Sequence, residues 1–401
     1  MSRFEPFPAI RYDTGRVDLG AVVAPPYDVL SPDDRAAYAG RDPHNVVHVD
    51  CPVESDGPDR YEQAAATFRQ WVEDGILTVD TEPAYYRYAM TFTDEAGHER
   101  TISGVLGALV VTDPDERGND VVPHEQTTAK ASTDRLDLTR ATKANLSPIW
   151  VLSLASGLGA LTDPPGEPLG VVTDADGVVH RLDHVDDPAR VEAIHAAVAS
   201  APVLIADGHH RYGVASAYRH ERREADGGSR PGRYDFTLAF VQELTEEQLV
   251  VQAIHRLVSG VPADVDLPSV LANAFTVEDA GPVSPATLAA MDERGALCLV
   301  APDGTGRYLT PTPDAFADTA DLDSARLDHA LRAVEPTLAF QHGVEETLHA
   351  LKTGEAQWAV LLRPVTVAQI RATANEGALM PPKSTFFWPK LRTGLAFRSV
   401  E

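Results

Sequence analysis

Apolar residues recur at helical spacing in a few stretches of this chain and at strand spacing in many. Residues 59–74 read as the clearest helix: Tyr61, Ala65, Phe68 and Val72 fall on one face, Pro58 precedes it and Gly75 stops it. The opening segments FEPFPAIRYD and LGAVVAPPYDVLSP read as strand, turn, strand and loop, with Pro25-Pro26 forcing an extended approach to Tyr27 and Asp28. Residues 85–90 and 103–112 read as strands joined by the hairpin signal Asp94-Glu95-Ala96-Gly97. Residues 113–148 are polar, rich in turn formers and without a clean period.

A second series begins near residue 150. Strand IWVLSL leads through a Gly/Pro/Asp-rich loop to strand GVVHRLDHV, and Asp187-Pro188 then opens a helix with Val191, Ile194 and Val198 on one face. Ala201-Pro202 ends it, Pro202–Ala206 is a short buried strand, Tyr212 to Arg223 a helix, and 235–242 another strand. Short helices and strands alternate from about residue 260 to the segment MPPKSTFFWPKLRTGL. The pattern predicts an α/β or α+β fold with mixed sheets and flanking helices, in three parts: 1–150, 151–258 and 259–401.

Composition narrows the function. Hydrophobic residues make up 43% of 401 and charged residues 23%, a globular balance. No apolar run approaches the ~20 residues that span a bilayer, and the N-terminal segment lacks a signal-peptide core, so a cytoplasmic protein with no membrane partner is expected. Two cysteines exclude a disulfide framework and an all-thiolate zinc site. Sixty acidic residues against 34 basic give a net charge of −26, which argues against gripping nucleic acid. Five of the basic residues are lysine: Lys130, Lys143, Lys352, Lys383 and Lys390. In a chain that otherwise uses arginine, a retained lysine marks a place that needs a compact charge on a flexible stem.

Three segments carry candidate chemistry. In Ile205–Tyr212 an apolar strand ends at Asp207-Gly208 and a helix follows. This turn collects backbone N–H groups and a positive dipole end beside His209, His210 and Arg211, a phosphate cradle. Gly208 permits close backbone approach, the amides through Tyr212 join the cradle, and Asp207 is a candidate ligand for Mg²⁺ or a catalytic carboxylate. The loop Pro123–Thr127 offers His124 and Glu125 as an acid/base pair, followed by Lys130 and Arg135. In Met380–Lys390, Lys383, Ser384 and Thr385 are placed to meet an anion, with Phe386, Phe387 and Trp388 packed beneath. Tyr27, Asp28, His255 and Arg256 are weaker candidates. Against each stands a structural alternative: histidines that cap a helix, a solvated loop, a strap whose aromatics complete a core.

Together APPYDVLSP, PHEQT with Asp134-Arg135, ANLSPIW, IADGHHRYGVA, AIHRLV and MPPKSTFFWPKLRTGL resemble the family catalogued as domain of unknown function 1015, over nearly the whole chain. The DGHHRY segment, within about residues 175–225, also resembles the nucleotide box of the ParB/sulfiredoxin-like superfamily, which implies such a nucleotide-binding subdomain in the middle of the chain. Sulfiredoxins carry a catalytic cysteine in that box where this chain has His209, and ParB proteins bind CTP and DNA, which the charge disfavours. Free serine kinases of the superfamily match best. That resemblance implies a phosphotransferase using ATP or ADP, with CTP as a further candidate, on a small hydroxyl metabolite. Asp207, His209, His210 and Arg211 would hold phosphate or metal, with Glu125 as candidate base and Lys130 and Lys383 neutralising charge. Two other classes stay open: a non-catalytic nucleotide sensor, and a metal-dependent hydrolase with His124, Glu125, His209 and His210 as ligands. Oligomeric state is not readable from the sequence.

Overall fold

The computed structural model describes residues 3–94, 97–113, 120–123, 132–228 and 231–401. The chain forms two compact units. The first is built from residues up to Leu249 together with Pro389–Glu401, and the second from Val250–Trp388.

Among the described residues, nine strands of the first unit form one mixed sheet. Across the sheet the order is Val121–Pro123, Val203–Asp207, Ile149–Ser153, Phe236–Glu243, Glu99–Val110, Tyr85–Thr93, Val179–Val185 and Glu167–Thr173, and Phe4–Glu5 also pairs with Glu99–Val110. Val203–Asp207 runs parallel to Val121–Pro123 and antiparallel to Ile149–Ser153, which is parallel to Phe236–Glu243. Alternate residues Ile149, Val151, Val203, Ile205, Ala239 and Val241 share one core with Ile194 and Val198 of the helix Pro188–Ala199. That helix is opened as its sequence predicts, with Pro188 in its first turn and the Asp187 side chain accepting from the Arg190 amide at 2.8 Å. Trp150 and Tyr88 both pack edge-on against Phe240.

The second unit centres on a six-stranded antiparallel sheet in the order Phe275–Pro282, Thr305–Pro311, Leu297–Val300, Trp358–Leu361, His255–Ser259 and Thr337–Gln341. Alternation along its strands splits the apolar residues into two cores. Val258, Leu299 and Val360 meet the helices Leu267–Leu271 and Asp323–Leu331. Leu257, Cys298 and Ala359 meet Pro285–Arg294 and Val344–Thr353. Mixed sheets with flanking helices are thus the observed class. Among the described residues, no helix is long and apolar enough to cross a membrane.

Four expectations change. Leu19–Val22 is a short helix rather than a strand, because the Asp18 carboxylate caps it at the Gly20 amide, 3.0 Å away. The aperiodic region contains the helix Ser132–Thr142; Leu138 is its one fully buried leucine, so an apolar stripe is hardly visible. The strand Glu167–Thr173, mostly exposed at the sheet edge, lies in what reads as a loop. The boundary at residue 150 falls inside the strand Ile149–Ser153, whose both neighbours come from later in the chain, so the described residues up to Leu249 group as one unit.

Candidate functional site

The strand Val203–Asp207 ends at a carboxylate, and the next residue turns the chain. Gly208 has φ +90°, a left-handed conformation, and caps the 17-residue helix His209–Ala225. A Cβ there would come within 3.0 Å of both the Arg211 Nε and the Ile149 Cγ2. The helix therefore begins at His209, three residues before the apolar period makes it visible. Gly208 has no side chain with which to cap this end. The Tyr212 amide is committed to the Gly208 carbonyl at 2.9 Å, so it does not join the first-turn amides, and the cradle is narrower than the one expected from sequence. The Tyr212 hydroxyl accepts from the Thr112 amide and donates to its carbonyl, at 2.9 and 3.0 Å, which fastens the helix to the sheet instead of facing a ligand.

Asp207 is braced on both oxygens. Oδ1 accepts from the Gly208 amide at 3.0 Å, while Oδ2 faces the Lys390 ammonium at 3.2 Å and the Arg211 guanidinium at 3.5 Å. Burial alone would raise this carboxyl, but Lys390 and Arg211 outweigh it and hold the group down at about 2. Arg211 also donates to the Pro148 carbonyl and stands 3.8 Å from Asp28. Burial opposes its charge, and Asp28 and Asp207 more than restore it. Its side chain is 9% exposed, so in this arrangement Arg211 stiffens the turn and holds Asp207.

Tyr27 and Asp28 lie in a single helical turn, Tyr27–Val29, and Tyr27 is covered by Arg135, whose guanidinium is 3.9 Å from the ring centre. Arg135 is buried against the Asp50 carboxylate and backbone carbonyl. A cavity of about 40 Å³ touches Arg135, Arg211 and Ser147, room for water but not for a nucleotide. His209 and His210 are part-exposed on the first helical turn. Tyr27, Asp28, Arg135 and Asp207–Arg211 are thus brought together in the first unit. His124, Glu125 and Lys130 lie outside the described residues.

His255, Arg256, Lys383 and Thr385 belong to the second unit. Arg256 is buried and donates to the carbonyls of Ile254 and Lys383 at 2.8 and 3.0 Å. His255 accepts from the Leu362 amide at Nδ1, 3.2 Å away, and burial followed by His342 and Arg256 pushes its pKa down to about 4. Lys383 is exposed, with φ +57°. Ser384 bonds Ser324 at 2.9 Å, and Phe386–Trp388 pair with Val250–Gln252.

The expectation of Mg²⁺ on Asp207 does not fit. A divalent cation at Oδ2 would meet two fixed positive charges, and among the described residues no group of three or more His, Cys, Asp or Glu side chains is placed to hold a metal.

Sequence reasoning passed over Lys390 as a site residue, although lysine scarcity pointed to its segment. It also passed over the network that seats it. Tyr88 bonds His180 Nδ1 at 2.8 Å, His180 Nε2 meets Asp174 at 2.9 Å, and Arg392 donates to Asp174 while its amide donates to Tyr88 Oη at 3.0 Å. Burial keeps His180 low and would raise Asp174, but the bonds from His180 and Arg392 draw Asp174 well below the usual carboxylate range. Two residues from Lys390, this network anchors the returning C-terminal segment.

The site is therefore a strand–glycine–helix turn with an ionised aspartate, in an α/β protein. The chain belongs to the family described as "Protein of unknown function (DUF1015)", whose pattern matches residues 4–330. No protein of curated function matches it. Similar solved structures include a conserved hypothetical protein from Pyrococcus furiosus, 14% identical over 69% of this chain and 92% of that one, with a TM-score of 0.35. A free serine kinase in complex with AMP is 13% identical over 70% and 88%, with a TM-score of 0.38. SbnI with a C-terminal truncation, from Staphylococcus aureus, is 13% identical over 73% and 86%, with a TM-score of 0.39.

Proposed function

We propose that this protein is a nucleotide-dependent phosphotransferase acting on a small hydroxyl-bearing metabolite, with a serine-like hydroxy amino acid as the first acceptor to try. The observation that carries the reading is the glycine-led helix start at Gly208–Arg211 beside Lys390 and an ionised Asp207. A helix N-terminus directs amides and positive dipole toward an anion, and the DGHHRY resemblance names nucleotide phosphates as that anion. His209, His210 and Lys390 supply further positive or donor groups at the same turn. Arg211 is a positioning residue that fixes the Asp207 carboxylate.

In the transfer, the acceptor hydroxyl oxygen forms a bond to the terminal phosphorus and the bond from that phosphorus to the nucleotide's bridging oxygen breaks. The hydroxyl proton passes to a base, for which Glu125 is the candidate. Asp207, held at about 2, is too weak a base for that task near neutral pH and instead accepts a hydrogen bond that orients the acceptor. Positioning and charge stabilisation then do most of the catalysis.

The test is calorimetry of the full chain with ATP, ADP and CTP, with and without Mg²⁺, followed by mass spectrometry of a serine-containing mixture. Saturable binding with a phosphorylated product is expected. Binding without product would turn the reading into a nucleotide sensor, and absence of binding to all three would overturn the phosphate site.

A further inference from the structure

A second place in the first unit carries a buried positive charge that forms no ion pair with any described residue. The short strand Arg398–Ser399 pairs with Ala144–Asn145. The Arg398 residue is only 4% exposed. Its Nη1 donates to the Phe236 carbonyl at 2.9 Å and to Asn145 Oδ1 at 3.2 Å, and its Nη2 donates to the Arg233 carbonyl at 2.7 Å. All are neutral acceptors. Among the described residues no carboxylate lies within ion-pair distance of Arg398, and burial, with Arg233 adding to it and Glu5 only partly opposing, pushes the guanidinium down to about 10. Arg233, exposed beside it, donates to a main-chain oxygen of Glu401 at 3.3 Å. A chain with 60 acidic residues against 34 basic has carboxylates to spare, yet among the described residues no side-chain carboxylate forms an ion pair with either arginine, and Glu5 acts on Arg398 only from beyond that distance. A buried guanidinium without a counter-ion is costly to keep.

Both arginines line a pocket of about 370 Å³, within the ~300–1,000 Å³ usual for small-molecule sites. Much of its other lining is apolar and stiff, with Phe7, Pro8, Pro83 and Phe236 among it. The Glu5 carboxylate also lines it but is taken by Arg3 at 2.6 Å. Arg3 itself stands 5.1 Å from the Phe236 ring centre and Arg398 5.9 Å from it. Two arginines therefore flank one aromatic ring that lines a proline-rich pocket.

We propose that this pocket binds a small organic anion, its carboxylate or phosphate head against Arg398 and Arg233 and its apolar body against Phe7, Pro8 and Pro83. The head supplies the counter-charge that Arg398 lacks. The rigid walls add apolar area with little ordering cost. The site is distinct from the Gly208 turn and does not depend on the phosphotransferase reading.

Calorimetry of the full chain with phenyl phosphate, benzoate and inorganic phosphate tests it. At least one aryl anion should bind saturably, one per chain and more tightly than inorganic phosphate; which one does so distinguishes a phosphate-ester from a carboxylate ligand. Arg233→Gln, an exposed change that spares the fold, should weaken that binding about tenfold or more, the size of a lost charge-assisted contact. Arg398→Lys should weaken it further, and Lys390→Ala, at the other site, should leave it unchanged. The proposal is overturned if neither aryl anion gives saturable heat, if Arg233→Gln binds like the parent, or if only Lys390→Ala loses binding. The last result would seat the anion at the Gly208 turn, and the first two would leave Arg398 as an anchor for the C-terminal strand.

Discussion

Replacing Lys390 by alanine removes the nearer of the two cations that hold Asp207 ionised. The size of the effect follows from the carboxyl itself. Its ordinary value is 3.8, and in the fold it is held at about 2 although burial pushes the other way. That difference corresponds to roughly 2.5 kcal/mol of folded-state stabilisation of the ionised form. Arg211 shares it, at 3.5 Å against 3.2 Å for Lys390, so the part that belongs to Lys390 is about 1–2 kcal/mol. Both side chains are mostly buried, at 25% and 19% exposed, so solvent screens little of this. The assay is a double-mutant cycle of Lys390→Ala and Asp207→Asn, followed by urea unfolding. Trp358→Phe and Trp388→Phe in the background leave Trp71 and Trp150 to report the first unit by fluorescence. The expected coupling is about 1–2 kcal/mol. Because the folded carboxyl is depressed, its contribution is complete above the unfolded value and is lost only as pH falls through about 2. The coupling should therefore be constant between pH 5 and pH 8. A coupling below ~0.3 kcal/mol would mean that the two groups do not interact in solution, and the geometry of the site would have to be redrawn.

Three further outcomes are expected. Gly208→Ala should destabilise the first unit by about 1–2 kcal/mol and weaken nucleotide binding, since the new Cβ strains a φ of +90° and presses on Arg211 and Ile149; unchanged melting and calorimetry would refute it. Tyr88→Phe should cost about 1–3 kcal/mol in thermal unfolding, because the His180 ring and the Arg392 amide lose a buried partner together, and a neutral result would show that water replaces the hydroxyl. His255 is depressed from 6.5 to about 4, so its contribution is complete above 6.5 and is lost as pH falls from there through about 4, roughly 3 kcal/mol in all; His255→Gln should flatten that slope in melts of the second unit.

How far the sequence could be read depended on how local the cause was. Arg60–Glu73 and Pro188–Ala199 announce themselves because their caps and apolar faces lie within a dozen residues. Ser132–Thr142 does not, because what holds it is distant: Arg135 buried on Asp50, and Arg140 paired with Glu221 on the neighbouring helix. The Gly208 turn was legible for the same local reason, as an apolar strand, a glycine and a polar helix start fall within eight residues. Its partners were not, since Lys390 is 183 residues from Asp207 and Asp28 lies in a segment with no period. The C-terminal segment shows the limit most sharply. Its sequence looks like one strap, yet Phe386–Trp388 complete a strand pair of the second unit, while Pro389 and everything after it belong to the first. Composition could flag its two lysines as unusual but could not rank them. The fold separates them: Lys383 is exposed, and Lys390 is drawn onto Asp207 because Arg392, two residues on, is locked between Tyr88 and Asp174. A lysine retained where the chain otherwise uses arginine therefore gains its meaning from a buried neighbour, and the charge that completes the site is set by a network that makes no contact with Asp207.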